Sequence, residues 1–122
     1  MVAAHILVAD DEPQILTMVS EILKSRGYTY DLATDGLQAL DFARKRRPDL
    51  LVTDVMMPGM TGWELASRLR TRQPDLRVVF MSGFTGDSTA VEPVREHELL
   101  RKPFSPATLV SKVRAALGHT AS

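Results

Sequence analysis

Leu50-Leu51-Val52-Thr53-Asp54 is the stretch from which the rest of the chain is best read. Four residues suited to a buried strand run straight into a carboxylate. Val55-Met56-Met57-Pro58-Gly59 follows, a loop that continues neither strand nor helix. An ionised group at the end of a buried strand is costly, because charge resists leaving water. In an open α/β sheet, however, the carboxyl ends of the strands are where ligands bind. The remaining sequence is therefore searched for residues that converge on Asp54.

Upstream, Ile6-Leu7-Val8-Ala9 is a second apolar run, read as a strand buried on both faces and ended by Asp10-Asp11-Glu12. Pro13 suits the first turn of a helix on which Ile15, Leu16, Val19, Ile22 and Leu23 recur at helical spacing, and Gly27 stops it. Thr29-Tyr30-Asp31-Leu32-Ala33 is a weaker, partly alternating strand, which places it at or near a sheet edge. Asp35 can cap a second helix carrying Leu37, Leu40 and Ala43 on one face. That helix is expected to end in Arg44-Lys45-Arg46-Arg47, a basic run read as a solvated helix end that complements the dipole.

Downstream, Thr61 and Glu64 have the spacing of a capping box. Leu65 and Leu69 face the core, and Trp63 packs near the start of this third helix. Val78-Val79-Phe80-Met81 is the fourth strand, ending at Ser82-Gly83-Phe84. Residues Asp87 to His97 give a short or broken helix, because Pro93 interrupts the pattern. Leu99-Leu100 begins a fifth strand that runs into Lys102-Pro103-Phe104. Ser105 caps a last helix striped with Leu109, Val110, Val113 and Leu117, and a tail begins at about residue 118. Five strands alternating with five helical segments predict a doubly wound α/β fold, a parallel sheet with helices on both faces.

The 122 residues fit one domain, residues 1–122. Fifteen basic and fifteen acidic residues cancel, so net charge suggests no nucleic-acid footprint. The chain has no cysteine, which removes disulfides, thiolate zinc sites and cysteine catalysis. No apolar run approaches the roughly 20 residues of a membrane helix. Met1-Val2-Ala3-Ala4 does not resemble a signal peptide, and a cytoplasmic location is expected. His5, His97 and His119 show no ligand spacing.

The unusual polar residues all sit at strand carboxyl ends: Asp10 and Asp11, Asp54, Ser82 and Lys102. In a parallel sheet those ends share one edge, and strands one and three meeting at a switch point would bring the acids into one crevice. Taken singly each has a plainer reading. The first two acids could cap a helix, Ser82 could be a turn residue, and Lys102 an exposed strand end. Together at successive strand ends they are hard to attribute to accident. Clustered carboxylates repel unless a cation lies among them, and hard oxygen donors point to Mg²⁺ over zinc or copper. A carboxylate nucleophile, a metal, a lysine and a hydroxyl make an inventory that suits phosphoryl transfer.

Four motifs carry a resemblance that runs from end to end of the chain. They are Ile6-Leu7-Val8-Ala9-Asp10-Asp11-Glu12, Asp54 through Gly62, Met81-Ser82-Gly83 and Lys102-Pro103-Phe104. The chain resembles the receiver domain of two-component response regulators. The resemblance implies a flavodoxin-like, five-stranded parallel sheet of order 2-1-3-4-5. It implies that Asp54 accepts a phosphoryl group from a histidine kinase or histidine phosphotransfer domain. It also implies that Asp11, Asp54 and the main-chain carbonyl of Met56 bind Mg²⁺ directly, with Asp10 assisting through metal-bound water. Lys102 would pair with the phosphoryl oxygens, with a cis bond to Pro103, and Ser82 would donate its hydroxyl. The switch would then regulate a downstream protein target.

Three positions depart from the family pattern. Leu99 stands where receivers often carry an aromatic switch residue. Pro93 disfavours pairing of two copies through the fourth helical segment, fifth strand and fifth helical segment, so at most a weak homodimer on phosphorylation is expected. Met56 and Phe84 are bulky and apolar where receivers control water access, which predicts slow self-dephosphorylation. Two competing functions remain open on the sequence: a receiver-like interaction domain that is never phosphorylated, and an aspartate-dependent phosphohydrolase. The second acid of such hydrolases is replaced here by Met56.

Overall fold

A computed structural model of the protein describes residues 3–83 and 98–118. The short helix expected between Asp87 and His97, with Pro93, lies outside the described residues, as do Phe84, His97, His119 and the tail beyond residue 118. The strands are β1 (His5–Ala9), β2 (Thr29–Ala33), β3 (Leu50–Asp54), β4 (Arg77–Ser82) and β5 (Leu99–Arg101). They form one parallel sheet in the order β2-β1-β3-β4-β5. The doubly wound order that the resemblance implied is thus the order observed.

Four helices are described: α1 (Pro13–Ser25), α2 (Gly36–Lys45), α3 (Gly62–Arg72) and α4 (Pro106–Ala116). Alternation along the strands sorts the core into two layers. Ile6, Val8, Leu50, Val52, Val79 and Met81 point to one face, where Leu16, Val19 and Leu23 of α1 and Leu109 and Val113 of α4 cover them. Leu7, Ala9, Leu51, Val78 and Phe80 point to the other, beneath Ala39 of α2 and Leu65 and Ala66 of α3. Full burial of one such aliphatic side chain contributes about 2 kcal/mol. β2 is one of the two edge strands and is mostly half-buried, as its weaker pattern predicts.

The helix starts follow their local chemistry. Asp35 accepts a hydrogen bond from the Gln38 amide at 2.8 Å, and Ser105 accepts one from the Thr108 amide at 3.1 Å. Thr61 and Glu64 complete the capping box. Trp63 packs on Phe80 with ring centroids 4.2 Å apart. α1 begins differently. Glu12 is its N-cap and makes no side-chain cap bond.

One helical expectation is corrected. α2 stops at Lys45, with Arg46 already extended, so the basic run is only half helical. Pro48 lies close beyond, and chain approaching a proline favours extended backbone. Leu37, Leu40 and Ala43 do share one face of α2 and line one open surface, on which Leu37 is 71% exposed. Gly36 and Ala39 are the buried residues of α2, Ala39 in the core with Leu7 and Ala9 and Gly36 against the Met60 side chain.

Candidate functional site

Parallel pairing fixes where the polar residues go. Asp54 is paired with Met81, and Ser82 with Arg101, so the ends of β3, β4 and β5 lie along one edge. β1 ends beside them, with Ala9 opposite Thr53. Asp10 leaves this end fully buried, its amide bonded to the Ala33 carbonyl at 3.0 Å. Its Oδ1 accepts from the Glu12 amide at 2.8 Å, a local turn in which the carboxylate stands in for a backbone carbonyl. Lys102 is held by its own amide, which donates to the Ser82 carbonyl at 2.8 Å. The Lys102–Pro103 bond is cis, as the resemblance implied.

The backbone around Asp54 is equally determined. The Val55 amide donates to the Met81 carbonyl at 3.0 Å, and the Gly62 amide donates to the Val55 carbonyl at 2.8 Å. A Cβ at residue 62 would collide with the Asp54 carbonyl oxygen. Only glycine there lets the start of α3 approach the end of β3 so closely.

Lys102 is the centre of the side-chain arrangement. Its Nζ is 2.8 Å from Asp10 Oδ2, 3.1 Å from Glu12 Oε1 and 3.5 Å from Asp54 Oδ2. The side chains of Asp10, Asp54 and Lys102 are nearly or fully buried, whereas that of Glu12 is half-exposed. One ammonium does not balance three carboxylates. Burial, first, and the neighbouring charges of Asp10 and Asp11 push the Asp54 carboxyl up to about 6, against the pull of Lys102 and a hydrogen bond from the Met56 backbone. Burial alone would push the Lys102 ammonium down. The hydrogen bond to Asp10 and the charges of Asp10 and Asp54 outweigh it, so the net shift is upward and the ammonium stays charged.

A cavity of about 310 Å³ opens beside these groups, lined by Asp11, Glu12, Asp54, Val55, Met56, Ser82, Gly83 and Lys102. Carboxylate oxygens of Asp10, Glu12 and Asp54 all lie within 4.8 Å of one another, and the cluster could hold a metal ion. Hard oxygens, an excess of negative charge and an open side suit a divalent cation that keeps some of its water.

The structure brings Asp10, Asp54 and Lys102 into contact and sets Asp11, Met56 and Ser82 on the wall of the same cavity. Glu12 is the residue the sequence reading passed over. It stands in the acidic cluster, whereas the exposed Asp11 lines the cavity outside it. The signal was present in the spacing, since Glu12 is two residues from Asp10 at the same strand end. An acid just before Pro13 also suits a helix start, which gives Glu12 a sufficient local explanation.

Comparison with known proteins agrees with this geometry. Residues 6–114 match the family model of the response regulator receiver domain. The chain is 37% identical over 117 residues to the probable transcriptional regulatory protein TcrX of Mycobacterium tuberculosis, covering 94% of this chain and 50% of the relative. It is 35% identical over 120 residues to the response regulator MprA of Mycobacterium bovis, covering 97% of this chain and 52% of MprA. The chain thus spans about half the length of these curated relatives. The chemotaxis protein CheY4 of Vibrio cholerae superposes with a TM-score of 0.82 at 32% identity, covering 94% of this chain and 99% of CheY4. No helix among the described residues is long and apolar enough to cross a membrane. The chain belongs to the response regulator receiver family of two-component signalling.

Proposed function

We propose that this receiver domain, spanning residues 1–122, takes a phosphoryl group onto Asp54 from a phosphohistidine of a histidine kinase or histidine phosphotransfer domain. The observation that carries the reading is the Lys102 ammonium standing among Asp10, Glu12 and Asp54 beside an open cavity. With its carboxyl at about 6, Asp54 is about nine-tenths ionised at pH 7 and so available as a nucleophile. One Asp54 oxygen attacks phosphorus. The bond from phosphorus to the donor imidazole nitrogen breaks, and its electron pair returns to the imidazole. Lys102 neutralises oxygens of the transferred group, and Ser82 donates its hydroxyl to another.

Mg²⁺ is the cation proposed for the acidic edge of this cavity, and when bound it would offset charge on the acids and on the incoming phosphoryl oxygens. Asp11, Asp54 and the Met56 carbonyl would hold it, with Asp10 assisting. Glu12 is close enough to share in that work. The resulting acyl phosphate adds up to about two negative charges at the end of β3. Ser82, at the end of the neighbouring β4, passes that change on to a downstream protein target. The domain acts in the cytoplasm, and its own chemistry is limited to self-phosphorylation and self-dephosphorylation.

Incubation with Mg²⁺ and a small acyl phosphate donor tests this. The expected product is an acid-stable, base-labile phosphate on the unaltered protein and none on Asp54→Asn. No incorporation into the unaltered protein would instead favour an interaction domain that works without phosphorylation. Steady turnover of a phosphate ester would favour a phosphohydrolase.

A further inference from the structure

The exposed leucine of α2 belongs to a second concave surface. Leu37, Leu40 and Leu69 line an open trough of about 510 Å³ between α2 and α3. Arg44 and Arg47 edge it from the end of α2 and the turn beyond. Arg68 and Arg72 edge it from α3. One end is pinned, because Gln73 Nε2 donates to the Pro48 carbonyl at 2.9 Å. The sequence separates these two arginine pairs by more than twenty residues, so only the fold reveals that they share one rim.

The charge is incompletely answered. Arg44 pairs with Asp41 at 3.0 Å, and Arg47 reaches Asp75 only at 3.9 Å with both side chains exposed. Arg68 and Arg72 have no ion-pair partner among the described residues. Helix dipoles account for Arg44 and Arg72, which lie in last turns. They do not account for Arg68, one turn earlier, or for Arg47, which follows the helix. The whole chain carries no net charge, so this positive rim is local.

An apolar floor between two helices fits an elongated apolar ridge, and a rim of guanidinium groups fits carboxylates beside that ridge. A second copy docking by the same face would set arginine against arginine. We propose that the α2–α3 trough is a docking site for an acidic amphipathic helix of a partner protein. Its apolar stripe would lie on Leu37, Leu40 and Leu69 and its flanking acids would meet the arginines. The surface is independent of the phosphoacceptor chemistry.

The probe is a synthetic helical peptide of about 18 residues, with leucines at i, i+3, i+4 and i+7 and glutamates beside them. It is titrated into isotope-labelled, unphosphorylated protein. Amide shifts are expected to gather at Leu37, Leu40, Arg68, Leu69 and Arg72, with affinity falling as salt rises. Arg68→Glu with Arg72→Glu should weaken binding at least about tenfold without moving the thermal midpoint. Leu37→Asp should weaken it similarly. The same peptide with lysine for glutamate should not bind. No shifts at about 1 mM peptide, shifts elsewhere, or equal binding of the lysine peptide would overturn the proposal. So would tighter binding of the trough to anionic vesicles, DNA or a second copy of the chain. Because no phosphoryl donor is present, failure here leaves the Asp54 reading untouched.

Discussion

The two rims of the sheet both hold buried polar groups, and they hold them differently. At the start of the strands, His5 is 4% exposed and both of its ring nitrogens have partners. Its ring nitrogens lie 2.9 Å from Thr29 Oγ1 and 3.0 Å from Asp31 Oδ2, and its amide donates to Asp49 Oδ2 at 2.7 Å. The Asp49 amide returns a bond to the His5 carbonyl at 2.7 Å. At the end of the strands, three carboxylates share one lysine, and the carboxyl of Asp54 is displaced to about 6. The first rim is satisfied and fastens β1 to β2. The second is left with surplus charge, and surplus charge is what a metal ion and a phosphoryl group can use. Burial of polar atoms alone therefore does not mark a functional site. Imbalance among them does.

Substitutions separate the two rims. The largest effect is expected for Asp54→Asn, which should abolish phosphate incorporation measured by mass shift, while leaving the fold intact. Lys102→Ala should slow incorporation by about a hundredfold, the scale seen when a single charge-stabilising donor is lost. Retention of full rate would break the comparison by showing that Lys102 only holds the acids together. His5→Phe should do the reverse. It should lower unfolding free energy by about 1–3 kcal/mol through lost hydrogen bonds and leave the incorporation rate nearly unchanged, because the rims lie at opposite ends of the sheet. Urea denaturation paired with the incorporation assay reads both.

The pH dependence sharpens the contrast. Between its ordinary value of 3.8 and about 6, folded Asp54 holds a proton that the unfolded chain has released. Stability from this group therefore falls as pH rises through that window. Asp54→Asn should remove the decline, and Mg²⁺ should offset it at pH 7. The smallest effect is expected at Met56, which lines the cavity and is two-thirds exposed. If its thioether slows water attack on the acyl phosphate, Met56→Ser should shorten the phosphorylation lifetime by a few-fold, about 1 kcal/mol of barrier. An unchanged lifetime would remove that role.

Much of this was legible before any coordinates. The apolar runs at 6–9, 50–54 and 78–81 could be read as strands because acids, prolines and glycines end them. The parallel arrangement then placed Asp10, Asp54, Ser82 and Lys102 at one edge. Cap residues Asp35, Thr61 and Ser105 marked helix starts through side-chain oxygens within reach of the third amide. Helical periodicity put Leu37, Leu40 and Ala43 on one face of α2 without saying what that face meets. Ala39 packs into the core beneath the sheet, and Gly36 lies against Met60. Glu12 was missed because an acid at a helix start has a sufficient local explanation. Its approach to Lys102 spans ninety residues of sequence. The arginine-edged trough was invisible for the same reason.

The central claim is that the acidic rim is short of positive charge and takes up one divalent ion. Calorimetric titration of Mg²⁺ at pH 6 tests it most directly. The account predicts single-site binding whose heat depends on the buffer, because Asp54 releases part of a proton as the metal enters. Absence of binding, or binding undiminished in Asp54→Ala, would contradict it.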